Sequence, residues 1–230
     1  MLKDEFNFTS SGSLTTNLRE RLNTSLFGAD VDYSARWGAH NTTLGASFQQ
    51  DHDEGIQFQS IVPAIAPRLG LSVPFVTRRN GAVFVDDSWS LGKRTLLSAG
   101  VRYDRPSHFD NQFSYGAGLT HQTEYVYAKL LYGTAFRSPS YREYLGFTSF
   151  NDALEPEHLH TFEAQAGFHR GSGDINLTLY ANDYSDFIKD LLVSSIQSPA
   201  GLRVVDDEYA VNADSRKIVG LELQSTVHPG

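Results

Sequence analysis

Arg137 closes one run of alternating apolar residues, and Glu157 and Glu163 lie near the start of the next. If those runs are neighbouring strands, the guanidinium and the carboxylates pair across a polar surface. That is the chemistry of a wall ion pair, with contact to a ligand as the alternative. Between the runs lies a stretch holding Tyr141, Arg142, Tyr144, Phe147, Phe150, Asn151 and Asp152. Aromatic rings with a few polar groups suit capture of a bulky, partly apolar ligand; the plainer reading is a loop that packs on itself. Asp51, Asp53 and Glu54 form one acidic cluster, and Asp206, Asp207 and Glu208 another. Such oxygens hold calcium in some loops, but the spacing matches no EF-hand, and acidic loops are commonly just solvated. His158 and His160 share one face of a strand start, yet no third ligand is evident, so no metal site is assigned. No G-x-S-x-G elbow, P-loop or dinucleotide fingerprint occurs, so no catalytic residue and no cofactor is assigned either.

The composition narrows the classes further. The chain has 230 residues, a net charge of -8 and no cysteine. The charge argues against a nucleic-acid surface, and the missing thiols exclude disulfides, thiol catalysis and thiolate metal sites. Eleven Tyr and fifteen Phe against one Met and two Trp lean toward strands. No segment approaches the roughly 18 apolar residues of a membrane helix. Met1 is followed by Leu2-Lys3-Asp4-Glu5 without an apolar region, so no signal peptide is expected.

The elements that must position these residues are strands. Residues 1–17 are polar and read as a loop or ragged strand. Nine runs then alternate with period two. They are expected at about 18–37, 42–50, 79–91, 94–103, 112–120, 125–137, 158–169, 174–188 and 209–227. In the sixth, Val126, Ala128, Leu130 and Tyr132 share one face, and Tyr127, Lys129, Leu131 and Gly133 the other. The connections alternate in length: tight near His40, Gly92, Gln122 and Ser172, and longer at 51–78, 104–111, 137–157 and 189–208. Turns sorted in this way are how outer-membrane barrels are built, and about 9–11 residues let a tilted strand cross a bilayer. A soluble β-sandwich also alternates, but its strands are shorter and its turns are not sorted by length. The fold expected is therefore all-β: an antiparallel meander of about nine long strands, part of a transmembrane β-barrel.

One stretch is more specific. Gly133-Thr134-Ala135-Phe136-Arg137-Ser138-Pro139-Ser140 ends a strand, an aromatic loop follows, and Leu154-Glu155-Pro156-Glu157 opens the next strand. This order resembles the barrel of TonB-dependent outer-membrane receptors, whose usual run is close to G-x-x-FRAPS and then Leu-x-Pro-Glu; Ser138 stands where Ala is usual. Phe136, Arg137, Pro139, Leu154, Pro156 and Glu157 carry the match. The stretches LFGADVDY, GAVFVDDSWSL, LLSAGVRYD and KIVGLELQ add to it in order. Barrels of this kind have about 22 strands, so residues 1–230 are expected to be a partial barrel domain, without the family's plug domain.

The resemblance implies ligand-gated import of a scarce nutrient (the ferric siderophore, haem or cobalamin class) across the bacterial outer membrane. The implied partners are outer-membrane lipid, the nutrient, and, through the full-length chain, a plug domain and a TonB-type energy-coupling protein. No nucleic-acid partner and no enzymatic activity are expected. Two other readings stay open: a passive pore or adhesion-type barrel without energy coupling, and an outer-membrane lipase or protease, against which the lack of a nucleophile–base spacing argues. In a bacterial barrel, Asn-x-Ser/Thr matches such as Asn41-Thr42-Thr43 and Asn176-Leu177-Thr178 are chance.

Overall fold

Alternation carries through into backbone pairing over most of the chain. The structure is a computed structural model and describes residues 2–9, 17–60, 76–140, 143, 153–171, 173–193, 196–197, 203–204, 207–213 and 215–227. Its strands are β1 (Leu2–Thr9), β2 (Asn17–Trp37), β3 (His40–Ser60), β4 (Val76–Leu91), β5 (Thr95–Pro106), β6 (Gln112–Gln122), β7 (Val126–Arg137), β8 (Glu157–Arg170), β9 (Gly173–Ser185), β10 (Ile188–Val193), β11 (Ile196–Gln197), β12 (Arg203–Val204), β13 (Asp207–Asn212) and β14 (Arg216–Val227). Ten of them form one meander in the order β1-β2-β3-β4-β5-β6-β7-β8-β9-β14. Each of the nine expected runs contributes one strand to it, with β1 added. Among the described residues the sheet is open at β1 and β14.

The chain falls into two compact units. The smaller comprises Met1–Asp30, Ser47–Gly81 and Pro106–His108. Here β1 pairs antiparallel with β2, from Leu2↔Thr24 to Thr9↔Asn17, where a loop or ragged strand was expected. Both described ends of the long connection expected at 51–78 are strand, since β3 continues to Ser60 and β4 begins at Val76. Polar cross-strand pairs extend the ladder past the last apolar alternation. Arg79 Nε donates to Gln50 Oε1 at 2.9 Å, Arg78 reaches Asp51 at 3.5 Å, and His52 Nδ1 meets Thr77 Oγ1 at 2.7 Å.

The larger unit comprises Val31–Ala46, Ala82–Arg105 and Phe109–Gly230. Its ladders set one apolar row across five strands: Leu119, Leu130, Ala164, Leu179 and Leu221 are successive cross-strand partners. The four leucines are exposed, Leu130 by 47%. On β6 to β9 the residues flanking them point to a more enclosed face; along β7 the exposure alternates strictly from Val126 to Gly133. Gly38, Gly92 and Gly171, at three tight turns, have positive φ, a region that L side chains rarely enter.

Two expected strands break where none was predicted. The run at 174–188 ends at Ser185 because Asp186 takes a positive φ of 57°. The run at 209–227 splits into β13 and β14. The freed halves pair with each other, β10 with β13 from Ile188↔Asn212 to Val193↔Asp207, and β11 pairs with β12. The described residues of the connection expected at 189–208 thus pair as a hairpin with its own ladder.

Candidate functional site

The end of β7 and the start of β8 are joined by the pair that the sequence singled out. Arg137 and Glu157 are direct partners in the ladder, and Arg137 Nε donates to Glu157 Oε2 at 2.6 Å. The same register sets Glu163 opposite Leu131, six residues further along the strand and about 20 Å away. Glu163 therefore takes no part in the pairing expected of it. Its place is taken by Glu143, whose two carboxylate oxygens accept from the two terminal nitrogens of Arg137 at 3.0 Å each. A fork-to-fork contact of this kind fixes direction as well as distance.

Glu143 is itself held. The Ser140 amide donates to it at 2.6 Å, and the Glu143 amide donates back to Ser140 Oγ at 3.2 Å. This is the reciprocal bonding of a capping box. Burial pushes the Glu143 carboxyl up, but Arg137 and the Ser140 amide and hydroxyl outweigh it and hold the carboxyl below its usual range. Pro139, between them, is fully buried.

Glu157 also reaches the hairpin. Its other oxygen accepts from the Ile188 amide at 2.7 Å, so one nearly buried carboxylate ties β7, β8 and β10 together. Asn212 supplies a second tie. Its Oδ1 accepts from the Glu155 amide at 2.8 Å, and its Nδ2 donates to the Glu155 carbonyl at 2.9 Å and to the Asp186 carbonyl at 2.7 Å. Leu154, Ile188 and Ala210 form a buried apolar cluster beside these polar ties. The motif residues Arg137, Pro139, Leu154, Pro156 and Glu157 are thereby gathered at one end of the sheet, at the base of both the 138–156 stretch and the hairpin.

Tyr141, Arg142, Tyr144, Phe147, Phe150, Asn151 and Asp152 lie outside the described residues. The two histidines are engaged separately: His158 Nε2 lies 2.9 Å from Gln112 Oε1, and His160 Nδ1 lies 3.0 Å from the Tyr132 hydroxyl. Among the described residues no group of three or more His, Asp or Glu is placed to hold a metal. On the enclosed face of the sheet a shallow groove of about 400 Å³ is lined by Phe84, Asp86, Arg102, Ser114 and Thr134. Arg102 stacks over Phe84 there at 5.9 Å and grips the buried Asp104 with two bonds of 2.8 and 3.0 Å.

The family model for the TonB dependent receptor-like β-barrel matches residues 3–228. The chain belongs to this family. Solved barrels of TonB-dependent receptors share its fold. The copper transporter OprC superposes with a TM-score of 0.74 at 15% identity, over 94% of this chain and 37% of that one. The siderophore receptor PirA of Acinetobacter baumannii gives 0.69 at 16%, over 94% and 36%. The hemophore receptor HasR of Serratia marcescens gives 0.67 at 14%, over 92% and 40%. At these identities the likeness is one of fold. The chain spans well under half the length of these TonB-dependent receptors. No curated protein sequence matches it. Members of the family are transport receptors of the outer membrane rather than enzymes.

Three clamp residues were missed by sequence reasoning. Glu143 was readable, because Ser140-x-x-Glu143 is the capping-box pattern. Ile188 contributes only a backbone amide, and Asn212 sits fifty-seven residues from Glu155. Neither leaves a local mark in the sequence.

Proposed function

We propose that this chain is the wall and gate of an outer-membrane receptor that imports a scarce nutrient into a bacterial cell. The nutrient classes are a ferric siderophore, haem or cobalamin, with copper added by the name of one structural relative. The exposed row of Leu119, Leu130, Leu179 and Leu221 meets lipid, and the enclosed face meets a plug domain carried by the full-length chain. A TonB-type protein supplies the energy through that plug.

The observation that carries this reading is the clamp at Arg137, Glu143, Glu157 and Asn212. It anchors the aromatic 138–156 stretch and the hairpin to a rigid sheet at one end, as a capture surface needs. Tyr141, Arg142, Tyr144, Phe147, Phe150, Asn151 and Asp152 make first contact with the ligand.

The test is uptake of radiolabelled ferric siderophores, haem, cobalamin and copper by cells whose own receptors are deleted and which express the full-length gene. Saturable uptake of one class is expected, lost when the proton gradient is collapsed and weakened by Tyr144→Ala with Phe147→Ala. Uptake that survives collapse of the gradient would make the protein a passive pore. No uptake of any of the four would remove the nutrient reading.

A further inference from the structure

The exposed face carries a second cluster, at the turn between β2 and β3. His40 lies between two indoles: its ring is 4.3 Å from that of Trp37 at 9° and 5.2 Å from that of Trp89 at 14°. The Ser90 amide donates to the Ala39 carbonyl at 2.8 Å, which brings the start of β3 alongside the end of β4. Below the rings sits a carboxylate. Asp87 Oδ2 lies 2.7 Å from His40 Nδ1, and Asp87 Oδ1 accepts from Thr42 Oγ1 at 2.6 Å. Trp37 Nε1 in turn donates to Thr42 Oγ1 at 2.9 Å.

The side of the sheet is what makes this cluster unusual. Val83, on the same face of β4 as Asp87 and Trp89, is 56% exposed, and Leu44, on the same face of β3 as His40 and Thr42, is 54% exposed. Phe84 and Asp86 line the groove on the opposite face. Asp87 is thus an acid on the apolar face, near the turn, where a barrel strand leaves the hydrocarbon for the headgroups. A carboxylate has about four lone-pair sites; His40, Thr42 and the Ser88 amide fill three. No lysine or arginine among the described residues forms an ion pair with Asp87. Trp37 and Trp89 are 58% and 41% exposed, and each keeps a negative ring face that His40 does not cover.

We infer that Trp37, His40, Asp87 and Trp89 form a docking site for the ammonium headgroup of a membrane phospholipid. An ammonium brings a donor for the remaining lone pair and a charge that the carboxylate and an indole face attract. A phosphate group has the wrong sign for Asp87. The lipid's acyl chains then run along the apolar face past Leu44 and Val83. The site is independent of any imported ligand and of the clamp at the other end of the strands.

The test uses the full-length receptor in nanodiscs of equal parts phosphatidylethanolamine and phosphatidylglycerol, with native mass spectrometry of the lipids retained on release. Enrichment of phosphatidylethanolamine is expected. Asp87→Asn should cut it roughly tenfold, about 1.4 kcal/mol. Asp86→Asn, on the opposite face, should leave it unchanged. The wild-type arm needs no variant to fold. Equal retention of the two lipids, preference for phosphatidylglycerol, or an enrichment that Asp87→Asn leaves intact would overturn the proposal. So would a receptor dimer lost on Trp89→Leu, which would put a second copy on this face instead.

Discussion

Tyr127 lies over Gly167, its direct partner across the β7–β8 ladder, and its hydroxyl donates to Asn176 on β9. A Cβ at 167 would overlap the Tyr127 ring. Gly167→Ala therefore forces the ring off its neighbour and breaks the bond to Asn176, a loss of about 1 kcal/mol with further loss from packing. Urea unfolding of the full-length receptor checks this. The same change made together with Tyr127→Ala should cost less than the sum of the two single changes. Simple additivity would show that the ring and the glycine are independent.

Glu157 bonds both to Arg137 and to the Ile188 amide, whereas Arg137, among the described residues, bonds Glu157 and Glu143. Glu157→Ala should expose both the 138–156 stretch and the 189–208 hairpin to protease, because it strands a buried amide at a cost of roughly 1–3 kcal/mol. Arg137→Ala should expose chiefly the first. Limited proteolysis with mapped cleavage sites separates them. Matching cleavage patterns in the two variants would mean that Glu157 does not bridge the loops.

The sequence disclosed the meander and the Arg137–Glu157 pair because both rest on local signals: period-two alternation and a motif at each strand end. Register alone put Glu163 opposite Leu131 and out of reach of Arg137, and register is a property of pairing rather than of either strand. The β10–β13 hairpin was hidden for a similar reason. Asp186 turns the chain through a positive φ that nothing before it announces, and Asn212 then bonds across the break. The polar end of β3 was read as loop because Asp51 and His52 look like loop residues until their partners on β4 are known.

Acid should loosen the clamp. The Glu143 carboxyl is held below its usual value of 4.5 in the folded protein, with Arg137 and Ser140 outweighing burial. A carboxyl lowered in this way contributes stability that is present in full above the unfolded value and is lost as pH falls through the folded one. Cleavage within 138–156 should therefore rise as pH drops below about 4.5, followed with an acid-active protease. In Glu143→Gln the acid-dependent step should shrink and cleavage at neutral pH should increase. An unchanged acid step in that variant would assign the titration to another group.

The facing of β7 gives the sharpest contrast. Leu130 sits in the exposed row between Leu119 and Ala164, while Lys129 points to the enclosed face between Thr120 and Gln165. In a membrane, Leu130→Arg sets a charge against hydrocarbon and should cost roughly 2–4 kcal/mol near the midplane. Lys129→Ala removes a charge from a face that already tolerates polar groups, so its effect should be small. Heat-modifiable migration of the full-length receptor extracted from membranes reports how much of each variant has assembled. Strong loss for Leu130→Arg with near-normal assembly for Lys129→Ala is the expected result. Equal losses would reverse or erase the facing, and with it the lipid contact on which the Asp87 site depends.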